Sequence, residues 1–295
     1  MRAEGADIFS SGVLANTKNR PDLVVLPTPV GDHRDVRLSI VMPVHNEEPL
    51  IARAVERVLA VSLPVPAELI VVDDGSTDGT FEVLQSMDHP ALTIHRHPLN
   101  LGKGTAVLTG ASRATGTHLL VFDADLEYDP RDIPKLLEPV MAGRATVVYG
   151  NRMFGMNTVY PSFRYALGNR ITTFAANVMF DSCVSDLHTC LKLVPLQEFR
   201  GLRLTESGFG LDSELTAELL RRGIRPYEVA VSYFGRSRSE GKKITWRDGV
   251  KCLSVLGRVR MRRTPAAQRR GSGQPTDGPG PVLDGGGAER VADLP

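Results

Sequence analysis

From Leu38 onward, apolar runs alternate with segments whose apolar residues recur every three or four positions. The runs are LSIVMPV, ELIVVDD, LTIHRH, HLLVFDA and TVVYG, and between them lie EEPLIARAVERVLA, GTFEVLQSM, GKGTAVLTGASRA and PRDIPKLLEPVMA. Runs this apolar leave no side for water, so they predict strands covered on both faces, joined by amphipathic helices. The pattern predicts an α/β fold with a Rossmann-like, mostly parallel sheet and helices on both faces. The second half is less regular. It predicts a helix around Phe163 to Met179, a short strand LKLV at 191–194, a helix from Ser213 to Arg222 and an extended PYEVAVSYF.

Four stretches follow from this pattern. Residues 1–36 carry Pro21, Pro27 and Pro29 without a sustained period and read as a loosely ordered extension, with one short apolar piece from Leu23 to Leu26. Residues 37–235 form the α/β domain, 236–264 a basic amphipathic segment and 265–295 a Gly/Pro-rich tail expected to be disordered. No internal repeat is present.

Length and composition narrow the class. A chain of 295 residues, 42% hydrophobic and 23% charged, can bury a full core without metal or disulfide staples. Three cysteines without CxxC or Cys/His spacing argue against a disulfide framework and structural zinc, and fit a reducing cytosol. The opening residues lack an apolar signal core, and no stretch approaches the ~20 apolar residues of a spanning helix. The net charge of +1 conceals an asymmetry: from Arg236 to Arg270 twelve Lys/Arg face two acids, a local +10 against −9 elsewhere. Such a stretch points to contact with an anionic surface, either membrane or nucleic acid.

In a doubly wound sheet, ligands bind beyond the carboxyl ends of the strands. Those ends are rich in acids here. The first strand leads into Pro43, His45, Asn46, Glu47 and Glu48; the second into Asp73-Asp74-Gly75-Ser76-Thr77-Asp78-Gly79; the fourth into Asp123-Ala124-Asp125. The third leads to Asn100-Leu101-Gly102-Lys103-Gly104, which is not a Walker loop because the GxxxxGK[ST] spacing is absent. Taken alone, the Asp-Gly-Ser-Thr-Asp-Gly turn reads equally as a helix cap. The Asp123/Asp125 pair is harder to explain structurally, because two carboxylates beside a buried strand repel unless a cation sits between them.

Together LSIVMPVHNEE, ELIVVDDGSTDGT, NLGKGTAV, VFDADLEYDP, VYGNRMFG and VSDLHTCLKL resemble family 2 glycosyltransferases of the GT-A fold, in particular polyprenyl-phosphate sugar synthases such as dolichol-phosphate mannose synthase. The resemblance runs from about Leu38 to Asp248 and implies transfer of a hexose, with inversion, from a UDP- or GDP-sugar to a polyprenyl phosphate. It places Pro43, Asn46, Glu47, Asp73, Asp74, Lys103 and Ala124 around the donor, and Asp123 and Asp125 on Mg²⁺ or Mn²⁺ against the diphosphate. Oxygen ligands suit such hard cations. It also places Arg152 and Arg164 on the lipid phosphate, where a guanidinium can grip two oxygens. Asp186, Asp212 and Glu214 are candidates for a base, with none assigned, since a phosphate acceptor is largely dianionic already. Two alternatives stay open: a saccharide or other hydroxyl acceptor, and a non-catalytic module binding nucleotide-sugar or lipid.

On a helix, Arg247, Lys251, Ser254, Arg258 and Arg262 share one face, and Cys252, Val255, Leu256 and Val259 another, with Trp246 at the start. The expectation is a helix lying in the headgroup region of an anionic leaflet, at the cytoplasmic face of a membrane, with a membrane protein as a possible partner and no nucleic acid. The alternative is the same helix packed on the body with its basic face solvated.

Overall fold

The computed structural model describes residues 35–153, 158–160, 162–236 and 246–262. The expected 265–295 tail and all but the last two residues of the 1–36 extension lie outside them. Val36 is already buried in the core with the first strand, so the domain reaches slightly further back than the pattern of runs indicates.

The first strand, β1 (Leu38–Val44), runs parallel to β2 (Ala67–Asp73) on one side and to β4 (His118–Val121) on the other. β3 (Leu92–Arg96) continues the sheet beyond β2, and β5 (Val148–Asn151) pairs in parallel with β8 (Tyr227–Ala230). β7 (Lys192–Pro195) enters between β4 and β5, antiparallel to both, giving the order β3-β2-β1-β4-β7-β5-β8. Two further pieces, β6 (Thr158–Val159) and β9 (Tyr233–Phe234), form a small parallel ladder of their own.

The alternation along β1 sorts its side chains into two cores. Leu38, Ile40, Met42 and Val44 meet Ile51, Ala54, Val55 and Val58 of α1 (Glu48–Leu59) and Ile133, Leu136, Leu137 and Val140 of α4 (Ile133–Met141). Val41 points the other way, with Ile70 and Val72, onto α3 (Lys103–Arg113), α6 (Leu196–Gly201) and α7 (Leu211–Arg221). Full burial of each such side chain contributes roughly 1.5–3 kcal/mol, and a one-residue slip would exchange the two sets, so the register is strongly specified. α2 (Thr80–Gln85) adds Leu84 to the first core. A third cluster joins Ala176 and Phe180 of α5 (Phe163–Phe180) and Ala217 and Leu220 of α7 to Val255, Leu256 and Val259 of α8 (Trp246–Met261).

Candidate active site

Because β1, β2 and β4 are parallel, their carboxyl ends open on one edge of the sheet and bring residues from distant parts of the chain together. Pro43 sits near the end of β1 and lacks an N–H, yet it breaks no ladder. The pairing to β4 ends at Val41, whose carbonyl accepts Phe122 N at 2.9 Å. Asn46 follows with a φ of 52°, a left-handed conformation that asparagine tolerates well. Its backbone N–H donates to Ser76 Oγ at 2.9 Å, and its Oδ1 accepts Thr77 N at 2.8 Å. Glu47 N donates to Thr80 Oγ1, tying the β1 turn to the start of α2.

Asp73 and Asp74 are both buried and hold different things. Asp74 Oδ1 accepts Leu101 N at 2.9 Å and lies 2.8 Å from His97 Nδ1, while Oδ2 accepts Gly102 N at 2.7 Å, so both oxygens anchor the loop before α3. Asp73 Oδ1 accepts Ser76 N, whereas Oδ2 lies 3.2 Å from Arg96 Nε in an ion pair without accepting an aligned hydrogen bond. An open cleft of about 760 Å³ runs alongside, lined by His45, Gly75, Ser76, Thr77, Arg96, His97 and residues 98–100. Gly102 and Gly104 let the backbone of 206–207 approach: a Cβ on them would stand 2.3 Å from Ser207 O and 2.1 Å from Glu206 O respectively.

Beyond β4 the carboxylates gather. Asp123, Asp125 and Glu127 lie within a short stretch, and burial, followed by the charges of Asp123 and Glu127, pushes the Asp125 carboxyl up to about 7. Two cations balance this excess. Lys103 Nζ lies 2.8 Å from Asp123 Oδ2 and 3.7 Å from Asp212 Oδ2; burial opposes its charge, but these two carboxylates overcome it and hold the ammonium above its ordinary pKa. Arg236 reaches over from the far end of the domain, with Nη2 3.6 Å from Asp125 Oδ2, Nη1 3.5 Å from Glu47 Oε2 and its backbone N–H on Glu127 Oε1 at 2.8 Å. Tyr233 O–H donates to Glu127 Oε2 at 2.5 Å. Ala124 is buried in the first core, and its neighbours Asp123 and Asp125 lie at the partly exposed rim. Among the described residues no three His, Cys, Asp or Glu side chains form a ready metal cage.

At the end of β5, Arg152 forms a two-pronged pair with fully buried Asp186, Nε to Oδ2 at 2.6 Å and Nη2 to Oδ1 at 2.7 Å. Burial opposes the Asp186 charge, but Arg152 and a hydrogen bond from Asn169 prevail and bring its carboxyl down to about 2. Arg152 also packs over the Tyr233 ring at 4.8 Å. The fork is thus directed inward, where the sequence alone led us to expect it on a ligand. Arg164 is exposed in the first turn of α5, behind the Ser162 cap, and is not drawn into this cluster.

The base candidates separate in the same way. Asp186 is committed to Arg152, and Glu214 is fully buried, accepting Thr205 N, Thr205 Oγ1 and Glu206 N. Asp212 alone of the three stands at the rim, between Lys103 and the fully buried Lys192, whose Nζ is 3.6 Å from Asp212 Oδ1.

The expectation for the C-terminal helix needs correction. Cys252, Val255, Leu256 and Val259 are buried, the last three against α5 and α7, so this apolar face is already covered by protein and cannot enter a headgroup layer. Of its basic face, Lys251 and Arg258 pair with Glu206, and Arg258 lies 3.5 Å from Glu214 Oε1. The side chains of Trp246 and Arg247 lie outside the described residues. Burial of four apolar side chains stabilises the helix on the body whether or not a membrane is present.

Arg236, Glu127, Tyr233 and the Arg152–Asp186 pairing were not anticipated as parts of the site. Arg236 was visible only as the first charge of a basic run, and Glu127 only as a third acid after Asp123 and Asp125.

Rossmann-like order, one antiparallel strand and an acidic edge together define a GT-A glycosyltransferase fold. The profile of glycosyl transferase family 2 matches residues 39–194, and the chain belongs to that family. It is 31% identical over 203 residues to the low-salt glycan biosynthesis hexosyltransferase Agl6 of Haloferax volcanii, covering 68% of this chain and 48% of that protein. It is 36% identical over 124 residues to the dodecaprenyl-phosphate galacturonate synthase of Rhizobium johnstonii, covering 40% and 37% of the two chains. The chain thus spans half or less of the length of these relatives. In fold it is similar to glucosyl-3-phosphoglycerate synthase from Mycobacterium tuberculosis, solved with Mn²⁺, UDP and glucosyl-3-phosphoglycerate, at a TM-score of 0.59 and 19% identity over 77% of this chain and 80% of that one.

Proposed function

We propose that this chain is a metal-dependent, inverting hexosyltransferase that moves a hexose from a UDP- or GDP-sugar to a polyprenyl phosphate at the cytoplasmic face of a membrane. The observation that carries the reading is the cluster of Asp123, Asp125 and Glu127 at the edge of the sheet, balanced by Lys103 and Arg236. The oxygen donors of Asp123 and Asp125 fit Mg²⁺ or Mn²⁺, which takes one or two carboxylates from protein and the rest from phosphate and water. That ion supplies neutralisation of the departing diphosphate. The similarity to a dodecaprenyl-phosphate galacturonate synthase supports the acceptor class.

The chain's own residues then divide the work. Asp73, with a buried oxygen lacking an aligned donor, suits a base or ribose donor group, while Asn46, Glu47 and Asp74 hold the loops that shape the cleft. Lys103 and Arg236 exchange their carboxylate partners for diphosphate oxygens when the donor binds. An acceptor phosphate oxygen attacks the anomeric carbon as the bond to the leaving diphosphate breaks, and no base is required because a phosphomonoester with a second pKa of about 6 is already ionised. Arg164, exposed at the entrance of α5, supplies positive charge that a phosphate acceptor needs and a neutral hydroxyl does not, and Arg152 can add only its Nη1, since Asp186 holds Nε and Nη2.

Radiolabelled UDP- and GDP-sugars incubated with a short-chain polyprenyl phosphate test this directly. One donor should yield label extractable into organic solvent, and Arg164→Ala should raise the acceptor KM while leaving donor affinity intact. Label that passes only to saccharide acceptors would overturn the lipid-phosphate assignment.

A further inference from the structure

Helix α5 is apolar on its outer side as well as on part of its inner one, where Ala176 and Phe180 join the cluster with α7 and α8. The polar residues of its buried side, Asn169, Thr172 and Thr173, are all occupied: Asn169 Nδ2 donates to Asp186, Thr172 Oγ1 bonds His188 Nε2 at 2.8 Å and Thr173 Oγ1 donates to Asn169 Oδ1. Its outer side carries Phe163, Leu167, Ile171, Phe174 and Val178, exposed by 75%, 41%, 53%, 70% and 66%. At about 100° per residue these five fall within an arc of roughly 80°. A surface helix of a soluble protein ordinarily carries polar side chains on its outer face, and a contiguous exposed apolar stripe marks a contact surface.

The charges on the helix identify the occupant. Arg164 and Arg170 are exposed and stand at the two borders of the stripe, roughly 60° on either side of its centre. Neither has an ion pair among the described residues, and the helix contains no Asp or Glu. Arginines bordering an apolar band match an anionic headgroup layer above acyl chains, with the guanidinium remaining at headgroup level. A second copy of the chain fits less well: two-fold packing of α5 on itself would bring four arginines together with no carboxylate on either helix to receive them.

The geometry points to α5 as the face that docks this chain on an anionic bilayer, the helix lying in the membrane plane with its five apolar side chains at the boundary of headgroups and acyl chains. This moves the membrane contact from α8, whose apolar face is covered, to a helix whose inner side holds Asp186 and through it Arg152. The inference stands on the helix face and not on the acceptor proposed above.

Flotation of the purified full chain with vesicles, in the absence of donor and acceptor, tests it separately from the chemistry. The chain should float with equimolar phosphatidylcholine and phosphatidylglycerol, float poorly with phosphatidylcholine alone, and detach as salt rises. Phe174→Glu/Val178→Glu should lower the bound fraction by at least about tenfold, and Arg170→Gln by about fivefold, the effect of one basic residue near an anionic surface. Circular dichroism and thermal unfolding should be unchanged, because these side chains face water. Undiminished flotation of Phe174→Glu/Val178→Glu, or failure of the wild type to float with either vesicle, would overturn the inference. So would a wild-type dimer in sedimentation that this double variant dissociates while flotation is unaffected.

Discussion

Asp186→Asn removes a charge while preserving shape, and the structure sets the size of the effect. Asp186 is fully buried, its partner Arg152 is 10% exposed, and two hydrogen bonds of 2.6 and 2.7 Å join them. Removing one member of such a pair leaves an uncompensated buried charge, which typically costs about 3–5 kcal/mol. Linkage provides an independent value. The carboxyl titrates at about 2 in the folded chain against 3.8 ordinarily, which corresponds to roughly 2–3 kcal/mol. Because the folded value is depressed, this contribution is fully present above the ordinary value of 3.8 and is lost as pH falls towards about 2. In urea unfolding, Asp186→Asn should therefore be at least about 2 kcal/mol less stable than wild type at neutral pH, with the gap closing through that acid window. Arg152→Met/Asp186→Leu should recover part of the loss, since it leaves no unpaired charge. A gap below about 1 kcal/mol at neutral pH, or one that persists unchanged to low pH, would refute the reasoning.

Asp74→Asn should cost about 1–3 kcal/mol of stability, because an amide can accept only part of what Leu101 N, Gly102 N and His97 now donate; an unchanged urea midpoint would show that this anchor is dispensable. Asp123→Ala and Asp125→Ala should each abolish sugar transfer, and chelation should do so reversibly, so full activity in excess EDTA would exclude the metal assignment. His188 is lowered from 6.5 to about 4 by burial and then by Lys192. The unfolded chain therefore takes up this proton first, and stability should fall by up to about 3 kcal/mol as pH drops from 6.5 to about 4, a slope that His188→Gln should remove from the urea midpoints.

The alternation of apolar runs with amphipathic segments was sufficient to predict β1 to β5, α1 to α4 and helices on both faces, because strands buried on both sides leave an unmistakable continuous signature. The acids that end β1, β2 and β4 were legible for the same reason: parallel strands place their carboxyl ends on one edge, so position in the run implies position in space. What the chain pairs across long separations was not legible. Arg236 meets Glu47 and Asp125, and Arg152 turns inward to Asp186, through contacts that only the closed tertiary structure creates. The antiparallel entry of β7 between β4 and β5 leaves no mark on its short run LKLV, since a fully covered strand reads alike in either direction. Periodicity located α5 and α8 but not their orientation. An apolar residue pattern does not say which side of a helix is covered, and neighbours decide it: α8 packs its stripe on α5 and α7, whereas α5 turns Asn169, Thr172 and Thr173 inward beside Ala176 and Phe180, satisfying Asp186 and His188, and leaves a second apolar stripe outside. A buried carboxylate left unpaired costs more than an exposed apolar side chain, and that difference lies in contacts between segments distant in the sequence.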